Sequence, residues 1–341
     1  MKIAVDAMGG DRAPDAIVEG SVEAVREFDL SVILVGDKEI IERELTRCGE
    51  GRRNIEIEHC TQIVADNESP MTAFRHKKDS SVRVAFNLVK AGRAQAAISA
   101  GNSGATLAVA TVVLGRIKGI ERPAIATVLP SLEGQIVVID VGATPDCKPS
   151  FLFQYGIMGH VHAQTVLGIE RPRLALLSIG EEGSKGSLLV RQVHDQFKAS
   201  SLNFIGNIEG RDLFTGQADV VVCDGFVGNV VLKLSEGLVV VVSGMLEREL
   251  SAGLWPEDDK ILLKKAFERF QKKVDYAEFG GAPLLGIEGV GIVSHGRSSP
   301  KAIKNSIRNA AEFVSQNMVD RLRVGLDESS EMTGFITSRN H

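Results

Sequence analysis

Short runs of β-branched and apolar residues alternate with longer amphipathic runs along almost all 341 residues of the chain. The short runs predict strands at 2–5, 31–35, 55–59, 95–99, 124–129, 135–141, 173–179, 203–205, 220–223 and 291–294. The longer runs predict helices at 15–28, 38–48, 81–91, 106–114, 151–167, 188–199, 227–250, 257–273 and 300–317. This alternation indicates an α/β fold with mostly parallel, Rossmann-like sheets in α/β/α layers. The polar end from Asp327 predicts an irregular tail.

Composition argues against several classes of protein. A formal net charge of −5 does not favour nucleic-acid binding by the protein as a whole. The apolar run before Asp6 is too short for a signal peptide, and the run 238–246 is too short to span a bilayer. The four cysteines show neither metal-ligand spacing nor disulfide density, so we expect reduced thiols in a cytoplasmic protein.

Glycine-containing loops follow many of the predicted strands. In parallel α/β sheets, ligands bind beyond the carboxyl ends of the strands. Glycine also lets the backbone approach a ligand closely. We therefore expect a functional site built from the loops at 6–11, 101–104, 142–144, 180–186, 224–229 and 294–297.

The loop Gly101-Asn102-Ser103-Gly104 leads into a predicted helix. The N-terminus of a helix presents unpaired N–H groups and partial positive charge, which attract anions. The small residues therefore predict a phosphate or oxyanion site, with Asn102 and Ser103 as additional donors. An ordinary tight turn, with Ser103 as the helix cap, explains the same residues.

Charged and amide residues in three other loops are further candidates. Lys185 precedes a predicted helix. A cation at this end of a helix is unfavourable unless an anion shares the site. The neighbouring glutamates are an alternative set of partners for Lys185. Asp224 and Asn229 flank a short turn, where a carboxylate either accepts a proton or caps the helix. His295 is an acid–base candidate, and Arg297 suits bidentate binding of an oxyanion.

Two other features predict contacts with partners. The basic stretch from Arg75 to Lys78 favours phosphate or an acidic partner, or forms a solvated face. The segment 227–273 predicts a protruding pair of helices that is broken at an apolar tip containing Leu254 and Trp255. This tip beside lysines is typical of an anchor at a membrane surface, and packing against a second subunit is the alternative.

Motifs of several enzyme classes are missing. The sequence has no GxGxxG after its first strand, no GxxxxGK[ST] and no GxSxG, which argues against nicotinamide, Walker-type nucleotide and serine-hydrolase sites. His160 and His162 do not face the same way on a helix, so we expect no metal site. The loops offer anion donors and acid–base groups, but no activated nucleophile and no cofactor site.

Five stretches carry a resemblance to a known family, and they read "MKIAVDAMGGDRAP", "RHKKDSSV", "AAISAGNSGAT", "ADVVVCDGFVGNVVLK" and "GIVSHGRSS". Through them the chain resembles, over nearly its full length, the bacterial phosphate acyltransferases of phospholipid synthesis. That family is similar to the phosphate acetyl- and butyryltransferases, which implies two α/β domains flanking a cleft. We place the first domain at 1–118 with 290–341 and the second at 119–289, including a helical hairpin at 227–273.

The resemblance implies transfer of a long acyl chain from the thioester of acyl carrier protein to inorganic phosphate, without a cofactor. Together with the missing nucleophile, it predicts direct attack by bound phosphate. We expect a cytoplasmic homodimer at the inner face of the membrane, beside a downstream membrane acyltransferase. The alternatives are a short-chain enzyme that uses acyl-coenzyme A, a non-catalytic scaffold that binds acyl carrier protein at the membrane, and a decarboxylating dehydrogenase of similar shape.

The resemblance and the loops together give the candidate residues. The catalytic candidates are Asn102, Lys185, Asp224, Asn229 and His295. The candidates for substrate binding are Gly101, Ser103, Gly104, Ser184, Ser294, Arg297, Arg75 and Lys78. In the wider group a Ser-Arg-Gly turn serves catalysis. The matching turn here is Ser294-His295-Gly296, so the role of the arginine falls to His295 or Arg297.

Overall fold

The computed structural model describes residues 1–49, 54–65, 68, 75–251 and 256–337. Its strands are β1 Lys2–Asp6, β2 Ser31–Gly36, β3 Ile55–His59, β4 Ala96–Ser99, β5 Ala124–Ser131, β6 Gly134–Ile139, β7 Leu174–Leu177, β8 Phe204–Ile208, β9 Val220–Val222, β10 Ala282–Leu285 and β11 Val290–Val293. The α-helices in these described ranges are α1 Asp15–Glu27, α2 Lys38–Arg47, α3 Ser81–Lys90, α4 Ser103–Leu114, α5 Pro149–Val166, α6 Leu188–Lys198, α7 Gly225–Ser251, α8 Glu257–Val274, α9 Tyr276–Phe279, α10 Pro300–Ser315 and α11 Met318–Thr337.

All 11 strands form one sheet in the order β3-β2-β1-β4-β11-β10-β5-β6-β9-β7-β8. The strands from β3 to β11 in this order are parallel to one another, and so are β6, β9, β7 and β8. Between these two parallel sets, β10 and β5 pair antiparallel with their neighbours, so the two sets run in opposite directions. The predicted mostly parallel α/β fold is confirmed, with one continuous sheet.

The sheet is buried on both faces. In β1, Ile3 and Val5 belong to the core on one face and Ala4 to the core on the other, and each is at most 1% exposed. Helices cover both faces, which explains why such strands are almost continuously apolar in sequence. The apolar runs that predicted strands therefore mark the centre of an α/β/α arrangement.

Several elements differ from the sequence prediction, and the short helix α9 is one that was not predicted. The short β10 was not predicted, and α11 continues to Thr337 through the end that was expected to be irregular. Helix α7 has 27 residues, and by length and composition it is long and apolar enough to cross a membrane, with 11% of its apolar window buried. The sequence prediction that this segment is too short to span a bilayer considered only 238–246, whereas the apolar stretch extends towards both ends of the helix.

The last part of the chain returns to the first. Strand β11 lies beside β4, and α10 packs on α1. Helix α11, in contrast, packs on α5, which belongs to 119–289, and the two-domain division stays a prediction.

Candidate functional site

The loops that follow β1, β4 and β11 are in direct contact. The backbone N–H of Asp11, after β1, donates to the carbonyl oxygen of Gly296, after β11, over 2.8 Å. Gly10 lies here with φ of +100°, and a Cβ atom on it would stand 2.8 Å from the carbonyl oxygen of Ala100 and 2.9 Å from that of Gly296. Only glycine fits this close approach without strain. The structure thus brings together three of the six loops that the sequence singles out.

A buried carboxylate, not singled out from the sequence, anchors two of these loops. Asp6 is 3% exposed, and its Oδ2 accepts a 2.7 Å hydrogen bond from the hydroxyl of Ser99 while its Oδ1 accepts the N–H of Met8 over 3.1 Å. Burial raises the pKa of Asp6, and its hydrogen bonds oppose that rise. Because Ser99 ends β4, this carboxylate fixes the β1 loop against the start of the loop that follows β4.

The loop 101–104 forms the N-terminus of α4. The side-chain oxygen of Asn102 accepts the N–H of Ala105 over 2.9 Å, so Asn102, rather than Ser103, caps the helix. Among the described residues, the backbone N–H groups of Ser103 and Gly104 donate to no acceptor. Ser103 is exposed and Gly101 is half-buried, so this helix end is accessible to a ligand. The arrangement suits an anion.

The loop after β6 is organised by a second buried carboxylate, that of Asp140. Its oxygens accept the N–H groups of Ile125 (3.1 Å), Gly142 (3.2 Å), Ala143 (2.9 Å) and Thr144 (2.7 Å). Burial raises the pKa of Asp140 to about 6, against the effect of these donors. The N–H groups of this loop are therefore directed at the protein's own carboxylate, which makes the loop a support for the site rather than a phosphate cradle.

The loop after β9 packs on the loop after β6. The N–H of Gly225 donates to the carbonyl oxygen of Thr144 over 2.9 Å. The Oδ1 atom of Asp224 accepts the N–H of Val227 over 2.9 Å, which is the helix-capping contact that the sequence left open. The side chain of Asn229 is exposed and lies beside the loop after β6. Both candidates thus sit at the start of α7.

Ser184 and Lys185 lie in the loop that follows β7, the neighbour of β9 in the sheet. Both residues are exposed, and the N–H of Lys185 donates to the carbonyl oxygen of Glu182 over 2.9 Å. Across the ranges that the structure describes, no hydrogen bond or ion pair joins Ser184 or Lys185 to the other candidate loops. The exposed ammonium of Lys185 is accessible to an anionic ligand.

His295 links the two sets of loops. Its Nε2 lies 2.9 Å from the Nζ atom of Lys233 on α7, and Lys233 also pairs with Glu236 at 3.2 Å. Its Nδ1 accepts the backbone N–H of Arg297 over 3.1 Å. Burial, followed by the charge of Lys233, lowers the pKa of His295. The guanidinium of Arg297 is largely exposed, and its Nε lies 3.6 Å from Asp11.

The remaining candidates lie in different environments. Ser294 is buried, and its hydroxyl lies 2.8 Å from that of Ser306 in the core. Arg75 and Lys78 are exposed on the surface before α3. The predicted tip residues, Leu254 and Trp255, lie outside the described residues.

Sequence reasoning missed the two buried aspartates and the pair formed by Lys233 and Glu236. A signal for the aspartates exists, because Asp6 ends an apolar strand, Asp140 directly follows one, and each precedes a glycine within three residues. No comparable signal marks Lys233, whose contact with His295 joins positions 62 residues apart. Among the described residues, no group of three or more His, Cys, Asp or Glu side chains is arranged to hold a metal ion.

The fold is shared with solved acyltransferases. The structure is similar to a phosphotransacetylase from Streptococcus pyogenes, with a TM-score of 0.62, 18% identity and 94% of each chain covered. It is also similar to the EutD phosphotransacetylase from Staphylococcus aureus, with a TM-score of 0.58, 15% identity and 94% of each chain covered. At this level of identity, the likeness shows the fold alone.

Sequence comparison identifies the family. Residues 1–321 match the family described as "Fatty acid synthesis protein". A phosphate acyltransferase from Syntrophotalea carbinolica is 52% identical over 338 residues, which cover 99% of this chain and 97% of the relative. A phosphate acyltransferase from Geobacter sulfurreducens is 51% identical over 336 residues, which cover 98% and 96%. The chain that carries these converging, glycine-opened loops therefore belongs to the phosphate acyltransferase family of fatty acid synthesis proteins.

Proposed function

We propose that this phosphate acyltransferase takes a long-chain fatty acyl group from the thioester of acyl carrier protein and transfers it directly to bound inorganic phosphate. The products are acyl phosphate, for phospholipid synthesis, and the free carrier thiol. The names of the relatives support phosphate as the acceptor, and the family supports a fatty acyl group. The observation that carries the mechanism is the contact among the loops after β1, β4 and β11, beside the accessible N-terminus of α4.

Phosphate binding is assigned to the N–H groups of Ser103 and Gly104, with the guanidinium of Arg297 and the ammonium of Lys185 balancing its charge. Backbone donors at a helix N-terminus accept an anion without reorganising, because their direction is fixed by the helix. Phosphate is already a nucleophile near neutral pH, so the enzyme mainly positions it. One well-placed donor to the transition-state oxyanion contributes about 3 kcal/mol to lowering the barrier.

In the reaction, a phosphate oxygen forms a bond to the thioester carbonyl carbon, and the carbon–sulfur bond then breaks. The side-chain amide of Asn102 and nearby backbone N–H groups stabilise the oxyanion of the tetrahedral intermediate. His295 or Asp224 takes the proton that a monoanionic phosphate loses and delivers it to the departing thiolate. Asn229 donates a hydrogen bond to the acyl donor. No covalent acyl-enzyme forms in this scheme.

Electrostatic attraction is proposed to guide docking of the acyl donor. Acyl carrier protein is small and acidic, so a basic surface steers its approach. Arg75 and Lys78 are exposed before α3 and form one such surface. The lysines on α8, which include Lys264 and Lys265, form a second one. The acyl chain needs an apolar groove, and the apolar residues of α7 are proposed to line it.

The protein is proposed to act as a homodimer through α7. One stripe on this helix, spaced by four, four, three and four residues, is half or more exposed and contains Val230, Leu234, Leu238, Val241 and Met245. This spacing is typical of paired helices, and an apolar stripe of this length is rarely left in water. Leu238→Glu should shift the sedimenting species to the monomer. An unchanged dimer would place the subunit contact elsewhere.

The tip between α7 and α8 is proposed to contact the inner face of the cytoplasmic membrane, where a downstream membrane acyltransferase takes the product. Trp255→Glu should reduce flotation with anionic liposomes and leave the activity on soluble substrate nearly unchanged. Equal flotation of the variant and the wild type would contradict this role for the tip.

The test of the main proposal is phosphate-dependent release of thiol from acyl-acyl carrier protein and from acyl-coenzyme A, measured side by side. We expect release that requires phosphate and is faster with the carrier protein. Faster release from short-chain coenzyme A thioesters would favour the short-chain alternative, and docking of acyl carrier protein without release would favour a scaffold. A radiolabelled acyl group trapped covalently on the protein would contradict direct transfer. Binding of a nicotinamide cofactor would favour the dehydrogenase alternative.

A further inference from the structure

Both ring nitrogens of His295 face hydrogen-bond donors. The backbone N–H of Arg297 points to Nδ1 over 3.1 Å, and the ammonium of Lys233 lies 2.9 Å from Nε2. These two donors come from different parts of the molecule. Arg297 is in the same loop as His295, after β11, whereas Lys233 lies two turns into α7, which follows β9 in the oppositely directed set of strands.

The chemistry of imidazole makes these two contacts compete. A neutral imidazole has an acceptor lone pair at only one nitrogen, and a protonated imidazole has none. The ring of His295 can therefore accept from Lys233 or from the Arg297 backbone, but not fully from both. Protonation of the His295 ring would break both hydrogen bonds and would place the imidazolium beside the ammonium of Lys233. The contacts thus favour the neutral ring, and the position of Lys233 decides which nitrogen carries the hydrogen.

We propose that Lys233, supported by Glu236, is a positioning residue that keeps His295 neutral and sets its tautomer. With the ammonium of Lys233 at Nε2, the hydrogen of the ring is placed on Nδ1. When Lys233 moves away, the Arg297 N–H holds Nδ1 as the acceptor and the hydrogen moves to Nε2. Helix α7 thereby controls which atom of His295 is available to exchange a proton.

The charges around His295 agree with this assignment. Lys233 and the side chain of Arg297 oppose a positive charge on the ring, while Glu236 and Asp11 favour it. The Oε2 atom of Glu236 lies 3.2 Å from the Lys233 ammonium and 3.9 Å from Nε2. Glu236 therefore holds Lys233 in place and also weakens its effect on the ring. Burial of the imidazole adds to the preference for the neutral form.

The consequence for activity rests on the proposed function, in which His295 exchanges a proton during acyl transfer. When an anionic substrate attracts the half-exposed ammonium of Lys233, the ring hydrogen moves to Nε2, and the neutral ring then donates a hydrogen bond from Nε2 to the bound phosphate. The site thus combines a loop that follows β11 with a helix that follows β9, and these two strands run in opposite directions in the sheet.

The experiment is an NMR titration of the His295 ring in the full-length protein, together with the pH profile of kcat/KM for thiol release. The variants are Lys233→Gln, which removes the cation, Lys233→Met, which removes the cation and the donor, Glu236→Gln, which removes the partner of Lys233, and Lys233→Arg, which keeps the charge. Lys90→Gln, on the exposed end of α3, is the matched control for loss of one lysine charge. The nitrogen chemical shifts of the ring report the tautomer directly and do not depend on activity.

We expect the titration midpoint of His295 to move to higher pH in Lys233→Gln and to lower pH in Glu236→Gln, and to stay near the wild-type midpoint in Lys233→Arg and Lys90→Gln. The ring hydrogen should move to Nε2 in Lys233→Met, which keeps neither the charge nor a donor, whereas the glutamine amide can still donate to Nε2. An unchanged midpoint in Lys233→Gln, or an unchanged tautomer in Lys233→Met, would overturn the inference. Midpoints that move as expected, with an unmoved acidic limb of kcat/KM, would support the positioning by Lys233 and instead remove His295 from the proposed mechanism.

Discussion

Replacing the buried His162 tests whether this protein loses stability in acid through one side chain. The imidazole lies on α5, is 0% exposed and packs at 5.5 Å, centroid to centroid, against the ring of Phe313 on α10, with 55° between the ring planes. Neither of its ring nitrogens has a hydrogen-bond partner among the described residues. Burial lowers the pKa of His162 from 6.5 to about 4. The folded protein therefore holds this ring neutral where the unfolded chain would bind a proton.

The sign and the size of the effect follow from linkage. Because the folded pKa is below the unfolded one, this stability is fully present above pH 6.5 and is lost as the pH falls towards 4. The two pKa values differ by an amount worth about 3 kcal/mol once the pH is below both. At pH 5 the loss relative to pH 8 is about 2 kcal/mol. At about 2 cal/mol/K of unfolding entropy per residue, that corresponds to about 3 °C in Tm for a chain of this length.

The assay compares wild type with His162→Leu, which has a similar volume and no titrating group, in thermal unfolding scans from pH 8 to pH 5. The packing change shifts the variant by an amount that does not depend on pH, so the difference in Tm between the two proteins isolates the proton. We expect the variant to gain about 3 °C on wild type between pH 8 and pH 5. His76→Leu, at an exposed position, should show no such gain. A difference in Tm that is constant with pH would refute the reasoning, since it would mean that the protonated ring finds water or a partner in the folded state.

Three further predictions concern the loops and the sheet. Gly10→Ala should abolish most phosphate-dependent thiol release, since its Cβ would clash with two carbonyl oxygens, whereas Gly119→Ala, at a similar φ of +94° with open space around it, should retain activity. Lys185→Ala should raise the KM for phosphate about tenfold or more, as expected for a lost charge-assisted contact of about 1.5–3 kcal/mol, and an unchanged KM would exclude the ammonium from phosphate binding. Asp219→Ala should lower the free energy of unfolding by about 2 kcal/mol, because the carboxylate accepts two side-chain bonds (2.8 and 3.0 Å) and a backbone bond (2.7 Å) from Arg173. Denaturant unfolding measures this loss, and Asp219→Asn should recover part of it.

Local patterns in the sequence were sufficient for most of the fold. Strands such as β1 and β9 are apolar on both faces, and helices such as α3 and α10 carry one apolar side, so each is readable within its own segment. The four-residue β10 escaped prediction because it contains Pro283 and is shorter than most strands. The reversal of direction at β10 and β5 depends on pairing between distant segments, which no local pattern encodes.

The candidate site was predictable only in part, for the same reason. The glycine loop at 101–104 was recognisable because small residues before a helix have a direct physical meaning. The cap of α4, in contrast, was decided by geometry in favour of Asn102 over Ser103. The contact between Lys233 and His295 arises from the placement of α7 against a loop 62 residues later in the chain, so it becomes visible only in three dimensions.

The position of β11 between β4 and β10 has a consequence for the newborn chain. Strand β4 ends at Ser99, and β11, its neighbour on the side opposite to β1, begins at Val290. One edge of β4 therefore stays unpaired while the ribosome makes the intervening residues. At cellular rates of synthesis this takes roughly 10–40 s. An open strand edge is a template for wrong pairing during that time. Truncated or stalled products that stop before β11 should therefore depend on chaperones and aggregate, whereas the finished polypeptide closes the edge with its own late strand.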